Sequence, residues 1–353
     1  MIFLVLPYNY HSGWGNCSIN LAKQISKKQQ IRYFSTEFDL NSGANPIESE
    51  FFKKYRLDNI EYLKNQNDYP IIQSLEHDLQ PYQGYLKGSK KIGLCFSDRF
   101  IPEDLAQKAR ANFDYIIAGS EWSKNLLKKY GVESIVIHQG VDPFIFNKNH
   151  KKKEVFIDDF VVFSGGKFEH RKGQDVFIKA YKTFQDRHPD VRLVCAWVNS
   201  YTKNDGFKHL QEANIDLSRV IRIPLMMNNC MANIYQNTDV GVFPSRCEAG
   251  TNLVMMEYMA CGKPAIATIG TGQADLLTPN NSRIIESLGA CSLQENGKEI
   301  SIWEEPSSES ILENLEWAYN NRSKLSKLGT EGAKTMTQKT WAHMASSILD
   351  LID

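Results

Sequence analysis

The sequence has no cysteine pair at CxxC spacing, no run of 18 apolar residues and no excess of either charge. Each absence excludes a class of protein. The seven cysteines, at 17, 95, 195, 230, 247, 261 and 291, are odd in number and scattered over 353 residues. That usage fits reduced thiols in a cytoplasmic protein rather than a disulfide framework or a zinc module. The N-terminus MIFLVLPYNY is apolar only as far as Leu6, with no basic residue ahead of the run. It is too short for a secretion signal or a membrane span. The 41 Lys and Arg balance 41 Asp and Glu. A nucleic-acid binder would need a basic surface, so none is expected. A local basic pocket for one small anion stays open. No internal repeat occurs, and the only low-complexity tract is Lys151-Lys152-Lys153.

What is present is ordinary for a globular chain: 42% apolar and 23% charged residues. The length suggests two domains, each large enough for its own core. Short apolar runs alternate with helical patterns, the signature of parallel sheets covered by helices. In the first half, strands are predicted at Ile2–Leu6, Ile31–Ser35, Pro70–Leu75, Lys91–Ser97, Tyr115–Ala118 and Ile135–His138. A loop with Gly13 and Gly15 precedes a helix over 18–28, and Ser120 is the N-cap of another. Residues 140–158, with Gly140, Pro143 and the Lys triplet, read as the linker. The pattern then restarts with strands at Phe160–Ser164, Val191–Val198, Val220–Ile223, Val240–Phe243 and Ala265–Thr268. Residues 280–306 read as irregular with short strands, and the helix beginning at Ser323 as broken near Gly329. The expected fold is α/β: two Rossmann-like, doubly wound parallel-sheet domains facing across a cleft. Their boundaries are 1–150 and 151–335, with a last helix over 336–353. Ligands should sit beyond the carboxyl ends of the strands.

Three segments there carry chemistry. In PSRCEAGTNLVMMEYMACGKPAIAT (244–268), a loop opens a helix near Asn252, whose free N–H groups favour an anion. Glu248 precedes that helix and Glu257 lies within it; a solvated helix face is the alternative for Glu257. In FSGGKFEHRKGQDVFIKAY (163–181), Gly165 and Gly166 permit close backbone approach. Lys167, Arg171 and Lys172 would suit a diphosphate; a solvated basic loop is the alternative. GWGNCS (13–18) is not GxGxxG, because Ser18 takes the last glycine position. Glu37 is the nearest acidic residue to the second strand and is not neatly placed for a ribose. No NAD site is expected, and a simple turn remains the alternative for this segment.

Taken together and in order, GGKFEHRKGQDVFIKA, NTDVGVFPSRCEAGTNLVMMEYMACGKPAIA and GTGQADLL (270–277) resemble the donor-binding domain of the family 4 retaining glycosyltransferases. These have the GT-B fold. The likeness covers 160–340 well. It extends more loosely to the first half through IIAGSEWSKNLL (116–127) and HQGVDPFIF (138–146).

The resemblance implies that Lys167 and Lys172 neutralise a diphosphate leaving group, with Lys167 where the family usually has Arg. Thr251, Asn252 and Leu253, at the helix N-terminus, would bind the same group through backbone N–H. Glu257 would accept from the donor ribose, and Glu248 would stand close to the sugar. Eight residues separate the two glutamates where the family has seven, which puts one extra residue in the AGTN loop. His77 would lie near the sugar, a surface histidine being the alternative. Asp98 and Arg99 would meet sugar or acceptor. Met226 and Met227 fall in the base-contacting loop. Gly13, Gly15 and Gly166 would border the donor, and Thr271 and Gly272 are further candidates. Helix capping suffices for Ser120, and packing for His138.

The last helix would return to the first domain through Trp341, Met344, Ile348 and Leu351. No Asp-x-Asp carboxylate pair is present to hold a metal on a diphosphate, so no metal and no cofactor is expected. The implied function is retaining transfer of a sugar from a nucleotide-diphosphate sugar to a hydroxyl of a glycan or glycolipid-type acceptor. The setting would be surface polysaccharide or glycoconjugate synthesis, with the acceptor on the first domain and the donor on the second. Residues 1–150 carry 18 Lys and Arg against 16 Asp and Glu. Peripheral membrane contact with a lipid-linked acceptor is therefore left open rather than indicated. The rivals are a nucleotide-sugar epimerase and a catalytically silent nucleotide-sugar-binding protein.

Overall fold

The computed structural model describes residues 1–36, 46–150, 155, 157–199, 202 and 205–353. Glu37 and Lys151–Lys153 lie outside these described residues. The chain forms two compact units, Met1–Gly140 with Lys339–Asp353, and Val141–Gln338.

In the first unit the elements are β1 (Ile2–Val5), α1 (Gly13–Ile25), β2 (Ile31–Phe34), α2 (Pro46–Tyr55), α3 (Glu61–Asn65) and β3 (Ile71–Leu75). They continue with β4 (Lys91–Cys95), α4 (Glu103–Asn112), β5 (Tyr115–Ala118), α5 (Glu121–Lys128) and β6 (Ile135–Val136). The strands make one parallel sheet in the order β2-β1-β3-β4-β5-β6. Every side chain of β1 and β3 is buried, as expected for strands covered on both faces.

The second unit contains β7 (Phe160–Gly166), α6 (Gln174–Arg187), β8 (Val191–Trp197), α7 (Phe207–Glu212), β9 (Val220–Arg222), α8 (Met231–Gln236) and β10 (Val240–Phe243). It continues through α9 (Leu253–Ala260), β11 (Ala265–Thr268), β12 (Ser282–Ile285), β13 (Ser287–Glu295), β14 (Lys298–Pro306), α10 (Ser308–Asn320) and α11 (Arg322–Met336). Its parallel sheet runs β12-β11-β10-β7-β8-β9. Phe160, Val162, Leu193, Val242 and Ile266 build the core beneath α6 and α10.

The boundary falls at Gly140, ahead of the expected residue 150. The reason is packing: Val141 and Phe146 are buried, and the Phe146 ring lies 6.1 Å from Tyr235 in α8. The last segment, α12 (Trp341–Leu349), belongs to the first unit, where it packs on α1. The Cys17 and Met344 sulfurs are 3.9 Å apart. Trp341, Met344 and Ile348 are buried, whereas Leu351 is only half-buried.

Two readings need correction. Residues 287–306 form a long antiparallel hairpin, β13 with β14, turned by Asn296 and Gly297 at φ +52° and +74°. That is the two-residue, left-handed turn that Asn-Gly specifies. Helix α11 runs unbroken through Gly329, which is buried.

Candidate functional site

The strand order of the second sheet reverses between β7 and β10, where a doubly wound sheet opens its ligand crevice. The basic loop leaves β7 at Gly166 (φ +114°) and makes a single turn at His170–Lys172. Gly173 follows at φ +68°, and a Cβ there would sit 2.0 Å from the Pro244 carbonyl oxygen. Only glycine lets the loop close this tightly onto the chain leaving β10.

The closure is held by Arg246, buried with its guanidinium fully engaged. It donates to both carboxylate oxygens of Asp175 at 2.8 Å, to Glu305 at 2.6 and 2.8 Å, and to the His170 carbonyl at 2.7 Å. Burial alone would lower its pKa, but Asp175 and Glu305 raise it. Arg246 therefore fastens the basic loop, α6 and β14 to one another.

Glu248 is 4% exposed. Its Oε1 accepts from Lys172 Nζ and Ser245 Oγ, both at 2.6 Å, and its Oε2 from Arg171 Nη1 at 2.9 Å. Burial would raise its pKa, yet Lys172 and Arg171 hold it down at about 2. Arg171 also pairs with Glu169 at 2.9 Å, and Glu169 with Lys167 at 2.8 Å. Three cations thus share two carboxylates in one partly buried chain, with Lys172 the least exposed of them and Lys167 the most. The GTGQADLL loop joins in: Glu248 N donates to Thr271 Oγ1 at 2.8 Å, and Gly272 N to the Glu248 carbonyl at 2.9 Å.

Asn252 turns the chain into α9 from a left-handed conformation, φ +61°. Its Oδ1 accepts from Met255 N at 3.4 Å, and its Nδ2 donates to Gln273 at 2.7 Å. Gln273 in turn donates to the Thr268 carbonyl at 3.0 Å. The helical ladder starts at Met256 N, which donates to the Asn252 carbonyl. The Leu253 and Val254 amides are therefore left at the positive mouth of the helix. Thr251 is buried with its hydroxyl on Met256 Sδ at 2.9 Å, so its side chain is committed inward.

Glu257 is buried, not solvated. It accepts from Asn228 Nδ2 at 2.8 Å and Tyr235 OH at 3.1 Å. Burial outweighs these two neutral donors and pushes its pKa up to about 7. Asn228 directly follows Met226 and Met227, both half-buried in the segment after β9.

Lys167, Lys172, Gly166, Glu248, Thr251, Asn252, Leu253, Glu257 and Met227 all belong to this one domain, in segments that follow its strands. In the first domain the strand order reverses between β1 and β3. His77 is exposed on the turn after β3, and its carbonyl accepts from Ser97 Oγ. Gly13 and Gly15 lie in the first turn of α1 rather than in a loop. Gly15 has a packing duty, since a Cβ would stand 1.9 Å from the Asn9 carbonyl oxygen. Ser120 caps α5 by accepting from Ser123 N at 3.1 Å. His138 Nδ1 faces Lys339 Nζ at 3.0 Å, and Arg99 lies 3.9 Å from Asp98.

Sequence reasoning missed Ser245, Arg246, Asn228, Tyr235 and Gln273. Arg246 and Ser245 stand inside the quoted PSRCEAG segment, and their signal was adjacency to a strand end.

Two doubly wound parallel-sheet domains make up the GT-B fold. The structure superposes on sucrose-phosphate synthase from Thermosynechococcus elongatus with a TM-score of 0.73 over 99% of this chain and 98% of that one, at 16% identity. Anabaena HepE, solved with UDP and glucose, gives 0.70 over 99% and 98% at 13% identity. Residues 145–335 match the family model of glycosyl transferases group 1, and the chain belongs to that family. A curated relative, the D-inositol 3-phosphate glycosyltransferase of Paenarthrobacter aurescens, is 28% identical over 153 residues. That match takes in 41% of this chain and spans only 37% of the relative's length. No helix among the described residues is long and apolar enough to cross a membrane.

Proposed function

We propose that the protein is a retaining glycosyltransferase that moves a sugar from a nucleotide-diphosphate sugar to an acceptor hydroxyl. The observation that carries this reading is the cluster at the β7–β10 reversal. There a cation-rich loop, a helix mouth with free amides and a buried carboxylate are assembled in one domain. The diphosphate would take Lys167, Lys172 and the Leu253 and Val254 amides. The ribose hydroxyls would donate to Glu257, and the base would lie along Met226 and Met227.

Leaving-group stabilisation is the main lever of such a site. The C1–O bond to the diphosphate breaks with its electron pair going to the phosphate oxygen. The acceptor oxygen bonds to C1 on the same face, and its proton passes to the departing phosphate. Glu248 is tied by three donors and held ionised, which supports a positioning role beside the sugar rather than nucleophilic attack. The supply of positive charge by lysines and a helix end supports a reaction without an essential metal. The first domain, with His77, Asp98 and Arg99, is assigned to a glycan or lipid-linked acceptor, in polysaccharide or glycoconjugate synthesis.

A thermal-shift panel of UDP, GDP, ADP and CMP, with and without chelator, tests the reading. UDP is the first probe because HepE shares the fold and was solved with it. One nucleoside diphosphate should raise the melting temperature by several degrees, unaffected by chelator. No shift with any of them would refute the donor site, whereas a shift without transfer to any acceptor would favour the silent nucleotide-sugar-binding protein. Turnover of a nucleotide sugar without acceptor would favour the epimerase.

A further inference from the structure

Glu257 differs from Glu248, the other buried carboxylate of the site, in having no cationic partner among the described residues. Its two described hydrogen bonds come from neutral donors, one on each oxygen: Asn228 Nδ2 on Oε1 and Tyr235 OH on Oε2. Tyr235 is fixed by packing, with ring centroids 5.1 Å from Phe163 and 5.4 Å from Tyr258. Asn228 is half-buried at the start of a single turn and adjoins the Met226–Met227 segment. A carboxylate oxygen has room for two acceptor contacts, so each Glu257 oxygen keeps one site open.

We propose that Asn228 and Tyr235 are positioning residues that fix the Glu257 carboxylate so that its remaining lone pairs meet the two ribose hydroxyls. Asn228 thereby links ribose recognition to the segment assigned to the base. This rests on the donor-site reading above.

The other titratable groups around Glu257 are the Tyr258 phenol and Cys261 thiol on its own helix. Asp239, ahead of β10, acts on Tyr258, and Lys263, ahead of β11, acts on Cys261. None of these bonds to the carboxylate among the described residues. The ionised form of Glu257 therefore depends on its two neutral donors, both of which lower its pKa against burial.

The test is calorimetric titration with UDP, and with GDP and ADP in parallel, from about pH 5.5 to pH 8.5. Wild type should lose affinity as pH falls through about 7. Tyr235→Phe keeps the ring and its packing but removes one donor. The midpoint should rise by about one pH unit, and affinity at pH 7.5 should fall several-fold, on the scale of one hydrogen bond to a charged group. Asn228→Ala should do the same, and it covers the case in which the buried Phe variant folds poorly. Glu257→Gln should give a flat profile. With a 2′,3′-dideoxy nucleotide the variants and wild type should bind alike. Wild-type midpoints and affinities in both Tyr235→Phe and Asn228→Ala would overturn the inference and leave the donor site standing. Failure of all three nucleotides to bind wild type would overturn both.

Discussion

Replacing Glu248 by Gln should cost the second domain about as much stability as a buried ion pair is worth. The carboxylate is held near pKa 2 against an ordinary 4.5. A carboxylate depressed to that degree contributes on the order of 3 kcal/mol above its ordinary pKa. The same order follows from stranding Lys172, which is half of a buried pair. In a domain of this size about 3 kcal/mol lowers the melting temperature by roughly 6–12 °C. Calorimetry of wild type and Glu248→Gln at neutral pH checks the size.

The sign of the pH effect is fixed by the direction of the shift. A depressed folded pKa stabilises above the unfolded pKa, and the gain is lost as pH falls through the folded value. The gap between the two proteins should therefore narrow from about pH 4.5 downward. A cycle with Lys172→Met isolates the pair. The double variant should be more stable than the sum of the single losses predicts, because neither charge is then left alone. Strict additivity, or a gap that stays constant in acid, would refute the reasoning. Loss of activity in a Lys172 variant thus mixes chemistry with folding. Glu257→Gln separates them better, since burial already disfavours the charge there.

Gly173→Ala should destabilise the same domain by at least about 2 kcal/mol, because it combines a left-handed backbone with a Cβ forced onto the Pro244 carbonyl; urea unfolding measures it, and a loss below half of that would contradict the geometry. Removing residues 339–353 should strip buried Trp341, Met344, Ile348 and Leu349 from the first unit. At about 1.5–3 kcal/mol for each side chain this approaches the whole stability of a domain. Hydrogen exchange should show lost protection in β1, β3 and α1, and retained protection in β7 and β10.

The sheets were legible because parallel strands buried on both faces are written as continuous apolar runs. IFLV, YIIA, VGVF and AIAT need no knowledge of their partners to be recognised. The hairpin at 287–306 was not, because β13 is mostly exposed and both strands carry Ser, Glu, Gln or Lys between their few apolar residues. The Asn-Gly turn was the available signal. The end of the first unit is a different case. Gly140 and Pro143 look like linker chemistry, while Phe146 is buried and packs on Tyr235 of α8, nearly 90 residues further on.

At the site, local sequence reveals which residues cluster but not which are already bonded to one another. Lys167, Arg171 and Lys172 were legible as a cation excess, and Glu248 as a carboxylate at a strand end. That Glu248 closes a circuit through Lys172, Arg171 and Glu169 follows only from the tertiary approach of β7 and β10. The circuit changes what the lysines can do. On the proposed donor-site reading, a diphosphate at Lys172 would compete with Glu248 at 2.6 Å or share the ammonium's remaining donors with it. The strength of the Glu248–Lys172 pair would, on the same proposed reading, set how readily Lys172 meets a phosphate. Arg171, which the sequence offered as a third phosphate ligand, is already committed to Glu248, Glu169 and the Cys247 carbonyl. Together with Lys172 it holds the Glu248 carboxylate ionised, so that on the proposed donor-site reading Glu248 would stay charged even if Lys172 met a phosphate.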